Sequence, residues 1–147
     1  VVEGMDFYII NLFHVRACAL CKYILDFGYT VYGIGERPLE ELNTQEEESW
    51  MEFGRNANLI YMDVSSFLKN IPDSDVFNIF YFPFSCEIKN DLFLVWFAKY
   101  EHVIHYVKNH PEKELKEQYP KMNFLDDDEE NLKNFFVENL QIFKKEG

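Results

Sequence analysis

Positive charge is the first thing this chain is short of: 14 Lys and Arg stand against 26 Asp and Glu, for a formal net charge of −12. Nucleic acids and anionic membranes are bound through a basic face, and none is visible, so neither partner is expected. Glycine is scarce as well, at 6 of 147 residues, and no G-x-x-x-x-G-K-[ST] occurs, which removes the P-loop route to ATP. Cysteine is sparse and odd in number: Cys18, Cys21 and Cys86 suit reduced thiols in a cytosol better than a disulfide framework. Apolar runs are strand-sized before a charge interrupts them, so no transmembrane helix is expected, and no signal peptide is visible. Val1–Gly4 precede Met5 and are read as residue left by expression, with Met5 as the expected native start.

Aromatic residues are what the chain has in excess, 15 Phe and 9 Tyr among them, and its length suits one domain with a real core. The organising stretch is residues 7–37. Phe7–Phe13 is an apolar run of strand character, and Val15–Phe27 carries apolar residues around most of a helix. Gly28-Tyr29 stops that helix, and Thr30–Ile34 is a second strand-like run. Strand, helix, stop and strand within about thirty residues form a βαβ unit with parallel strands.

Further strands are expected at Asn58–Met62, Val76–Phe82 and His102–Val107. Helices are expected over Gln45–Phe53, with a capping box from Thr44 and Glu47, and from Ser66 to about Asn70. Asn90–Tyr100 should be another helix. Ile71–Asp75 reads as a turn, and 108–125 as a polar excursion. A last helix opens at Asp126–Glu130 and runs to about Lys144, with Leu132, Phe135, Phe136, Leu140 and Phe143 on one stripe. The expected fold is α/β: a Rossmann-like doubly wound sheet of about five mainly parallel strands, with flanking helices and an added C-terminal helix. Residues 5–107 form its body, and 108–147 pack on the same domain.

Ligands on such sheets bind beyond the carboxyl ends of the strands. A G-x-G-x-x-G frame laid on the first turn puts Asn11, Phe13 and Arg16 where glycines would let a diphosphate approach the helix, and Phe13 is too bulky for that approach. Asn11, Phe13, His14, Arg16, Glu36, Arg37, Asp63 and Ser85 are the candidate ligand-binding residues at this edge. Glu36 stands where a dinucleotide fold keeps a ribose-binding acid, or else pairs with Arg37 in solvent. Asp63 contacts a base or caps the helix after it. Cys18 and Cys21 have C-x-x-C spacing and are the alternative catalytic pair, although Cys18 is expected some turns into its helix; buried thiols are the other reading. Ile71-Pro72 is the candidate for the proline loop such a pair needs. A metal on these thiols would need His14 and Cys86 as well, and no second ligand motif supports it. His102 and His105, on opposite faces of one strand, would not chelate together. No metal and no cofactor is expected.

From Ala19-Leu20 through Gly28-Tyr29-Thr30-Val31-Tyr32-Gly33 the chain is similar to the N-terminal domain of the Mur ligases, and it resembles that domain more weakly at Ile71–Val76 and Ser85–Asn90. Extended short-chain dehydrogenases, the nucleotide-sugar epimerase kind, match nearly as well through Asn58–Asp63 and Ser65–Leu68. The resemblance implies a detached relative of a UDP-sugar or dinucleotide domain. It lacks the glycine-rich loop of the first family, and no Tyr is followed four residues later by the Lys of the second. Two function classes follow: a non-catalytic module that binds a nucleotide sugar weakly or docks on a protein, and a thiol oxidoreductase. The wide apolar stripe of the last helix adds an expected homodimer or protein partner there.

Overall fold

The protein is described from a computed structural model covering residues 6–70 and 77–146; the expected turn at Ile71–Asp75, with Ile71-Pro72, and the start at Met5 lie outside the described residues. The elements run β1 (Asp6–Ile10), α1 (Val15–Asp26), β2 (Val31–Gly35), α2 (Thr44–Phe53), β3 (Leu59–Asp63), α3 (Val64–Lys69) and β4 (Phe77–Tyr81). They continue with α4 (Glu87–Leu92), α5 (Leu94–Tyr100), β5 (Ile104–Val107), α6 (Lys113–Gln118), β6 (Asn123–Leu125) and α7 (Glu129–Glu146). The strands form one sheet in the order β3-β2-β1-β4-β5-β6, and every pairing is parallel. The direction of winding reverses between β1 and β4, so the sheet is doubly wound and Rossmann-like, with its switch point at those two strands.

Side-chain alternation along β1 builds both cores. Phe7 and Ile9 face α1 and α7, where they join Leu20, Cys21, Ile24, Leu132 and Phe136. Tyr8 and Ile10 face α3 and α5, with Phe67, Tyr81, Trp96 and Phe97. Burial on both faces is why the strand reads as a continuous apolar run. Aromatic rings supply most of the second core, and Tyr81 sits edge-on to Phe97 with ring centroids 4.8 Å apart. The first core is closed by α7: the Phe136 ring meets Phe7 at 5.1 Å and Phe27 at 5.4 Å.

Several boundaries differ from those expected. β1 ends at Ile10 rather than continuing to Phe13, because Asn11 turns into the left-handed region at φ 70. The capping box of α2 lies one residue earlier: Asn43 Oδ1 accepts from Glu46 N at 2.8 Å, and Glu46 Oε1 accepts from Asn43 N at 2.9 Å. Asn90–Tyr100 is two short helices, α4 and α5, meeting at Phe93, whose side chain is fully buried. His102 belongs to a 3-10 turn over Glu101–Val103, so it does not share a strand with His105. The 108–125 excursion contains α6 and a sixth strand, β6. Its Tyr119 packs on Phe97 at 5.7 Å and Phe124 on Tyr106 at 5.6 Å, on the face opposite α7. Among the described residues no helix is long and apolar enough to cross a membrane.

Candidate functional site

Turns at the carboxyl edge of the sheet enclose a cleft of about 930 Å³, spanning the ends of β2, β1, β4 and β5. Its walls include Asn11, Phe13, His14, Glu36, Arg37 and Ser85 from the sequence candidates, together with Asn90, Tyr106, Lys108, Glu112 and Asp127. Arg16 and Asp63 do not line it. Asp63 caps α3, its Oδ1 accepting from Ser66 N at 3.3 Å.

The first turn, residues 11–14, is built without glycine. Asn11 adopts φ 70, a conformation Asn tolerates better than most non-glycine residues. Its side-chain Nδ2 donates to Pro83 O at 3.1 Å, tying the end of β1 to the end of β4 across the switch point. The backbone N–H groups of Asn11 and Leu12 both donate to Ile34 O, at 2.9 and 3.0 Å, so neither is offered to a ligand. Leu12 packs so tightly on β2 that a Cβ on Gly33 would lie 2.6 Å from its Cδ2.

His14 is the N-cap of α1, and its Nδ1 accepts from Arg16 N at 3.1 Å. An accepting Nδ1 carries no proton, so this cap needs a neutral ring. Burial lowers the His14 pKa, with Asp127 opposing and Arg16 adding to the shift. Asp127 arrives from the loop between β6 and α7, its own N–H donating to Asn109 Oδ1 at 2.8 Å. It places one carboxylate oxygen 4.0 Å from His14 Nε2 and the other 3.5 Å from Arg16 Nε. A carboxylate of the chain itself therefore stands beside the positive end of α1, where a Rossmann diphosphate would need to lie.

On the far wall, Asn90 ties the β4–α4 loop together. Its Oδ1 accepts from Tyr81 Oη and from Phe84 N, both at 2.8 Å, and its Nδ2 donates to Phe84 O at 2.8 Å. Glu36 and Arg37 do not pair with each other. Glu36 accepts from Lys89 at 2.7 Å, and Arg37 donates to the largely buried Glu46 at 2.8 Å.

Cys18 and Cys21 lie outside the cleft. Cys18 is in the first turn of α1 rather than some turns into it, and its Sγ donates to Leu12 O at 3.2 Å. Burial raises its pKa, with Lys22 opposing, and burial pushes Cys21 up to about 12, with Cys18 adding to the rise. Cys86 is exposed at the N-cap of α4. Among the described residues no group of three His, Cys, Asp or Glu is placed to hold a metal ion.

Asp127 and Asn90 are the parts of the site that sequence reasoning missed. Asp127 belongs to an acidic run that reads as a helix start, and nothing in its spacing ties it to His14, which is brought to it only by the winding of β5 and β6. No protein-family model matches the chain, and no curated protein does so. The fold and the cleft define a Rossmann-like α/β domain with a non-glycine first turn.

Proposed function

We propose that this chain is a non-catalytic Rossmann-like binding module, descended from a nucleotide-sugar or dinucleotide-binding lineage, whose switch-point cleft now docks a protein. The observation that carries the reading is the Asp127 carboxylate beside His14 and Arg16 at the start of α1. A diphosphate placed there meets this charge and the bulk of Phe13, and Asn11 and Leu12 have already spent their N–H groups on Ile34. Any remaining nucleotide-sugar affinity is weak. The three free thiols suit a reducing compartment, and the cytoplasm is where we place the protein.

A thermal-shift panel of UDP, UDP-glucose, NAD and NADP tests the reading. Melting temperatures that stay within about one degree at millimolar ligand support it, because a ligand held at one hundred times its Kd stabilises by about 2.7 kcal/mol. A rise of several degrees with any of them overturns it.

The thiol oxidoreductase alternative rests on the position of Cys18 in the first turn of α1, where a helix dipole favours a thiolate. Burial and the raised pKa of both thiols weigh on the other side. Reaction of either cysteine with a small disulfide in the native protein at neutral pH would favour this alternative.

A further inference from the structure

The walls of the cleft are strongly biased in charge. Seven of the residues lining it are carboxylates, and two are cations, Arg37 and Lys108. Glu46 and Glu112 already hold those two cations, and Glu36 holds Lys89. Glu87 and Asp91 on α4 and Glu114 on α6 are exposed, with no cationic partner among the described residues. They leave a negative potential over a concave surface with low-dielectric walls, which focuses the field on whatever enters.

A second feature lies on the same helix. Ile88 and Leu92 of α4 are 72% and 55% exposed, one turn apart, on the flank next to Glu87 and Asp91. Apolar residues scattered singly need no explanation, but a pair at helical spacing on the same short helix as two carboxylates of the cleft is a patch with an orientation. The four strand ends beneath the cleft are spaced over about 14 Å, which matches roughly ten residues of helix.

We infer that the cleft and the exposed face of α4 together dock a basic amphipathic segment of a partner protein. Its cations enter the cleft toward Glu87, Asp91 and Glu114, and its apolar face lies on Ile88 and Leu92. A second copy of this chain is the wrong occupant, because the acidic cleft would meet a body that itself carries a net charge of −12. This inference rests on the proposal that the cleft is a protein-docking site.

Fluorescence anisotropy with a labelled Lys/Leu amphipathic peptide of about fourteen residues tests it, at low and at physiological salt. Saturable binding should weaken about tenfold in Glu87→Gln/Asp91→Asn/Glu114→Gln, which should also flatten the salt dependence. Ile88→Ser/Leu92→Ser should weaken binding by about as much while leaving the salt dependence in place. A control set, Asp26→Asn/Glu130→Gln/Glu138→Gln, removes the same charge from exposed positions away from the cleft and should leave affinity unchanged. Equal weakening by the control set, or no saturable binding to the wild type, overturns the docking inference. Displacement of the peptide by UDP-glucose or NAD, with a raised melting temperature, instead overturns the functional reading beneath it.

Discussion

Asn11 holds two jobs in one side chain, and substitutions can separate them. Asn11→Gly keeps the φ 70 backbone and loses only the bond to Pro83 O, whereas Asn11→Ala loses the bond and leaves in the left-handed region a residue that tolerates it less well than Asn does. Asn11→Ala should therefore destabilise by about 2 kcal/mol and Asn11→Gly by about 1, measured by urea unfolding. The reverse order would mean that the turn is not held in this conformation. His105 gives a pH signature. Its ring lies between Phe80 and Phe135, Nδ1 is 3.1 Å from Asn123 Nδ2, and burial pushes its pKa from 6.5 down to about 4. Above pH 6.5 both folded and unfolded chains carry it neutral; between 6.5 and about 4 only the unfolded chain takes up the proton, so stability is lost as pH falls through that window. His105→Phe removes this component. The wild type should lose about 2 kcal/mol relative to that variant between pH 7.5 and 5, and parallel pH profiles would show that the ring is solvated. Thiol titration supplies a third check at this scale. One thiol, Cys86, should react with Ellman's reagent in the native protein, and Cys18 and Cys21 only after denaturation.

Elements were legible in this sequence where burial imposed a period. β1, α1 and β2 announce themselves because β1 and β2 are buried on both faces and because Gly28, at φ 85, leaves no doubt about where α1 stops. β6 was not legible, since Asn123–Leu125 is three residues long at the sheet edge and carries no alternation to read. The split between α4 and α5 was hidden for a different reason: the apolar spacing runs on through Phe93, and the break shows only in the backbone. Of the candidate site, the residues at strand ends could be named from the topology; Asn90 acts on Tyr81 and Phe84 through an irregular loop that has no period to read, and Asp127 reaches His14 and Arg16 from the opposite end of the chain. α7 is the element whose role is now clearest. Leu132 and Phe136 are each 1% exposed, and Phe135 packs on Phe80 and His105, so the wide stripe that suggested a partner is used within the chain over these positions. Phe136→Ala should cost about 3–4 kcal/mol in chemical denaturation. A loss below about 1 kcal/mol would show α7 to be a detachable interface helix instead.

At the scale of the whole molecule, charge and topology pull in different directions. The strand order is that of a sheet that binds dinucleotides at its switch point, while a net charge of −12 and a carboxylate-lined cleft oppose an anionic ligand at that place. The same charge, together with the inward packing of Leu132 and Phe136, leads us to expect a monomer in sedimentation equilibrium at micromolar concentration; a dimer mass would return α7 to consideration as a self-association surface. The most direct test of the central claim is calorimetric titration of NAD and of UDP-glucose into the wild-type protein at neutral pH. Only heats of dilution are expected up to about millimolar ligand, because Phe13 crowds the first turn and the Asp127 carboxylate stands beside the start of α1. A saturable one-to-one isotherm with a Kd below about 100 μM would contradict it.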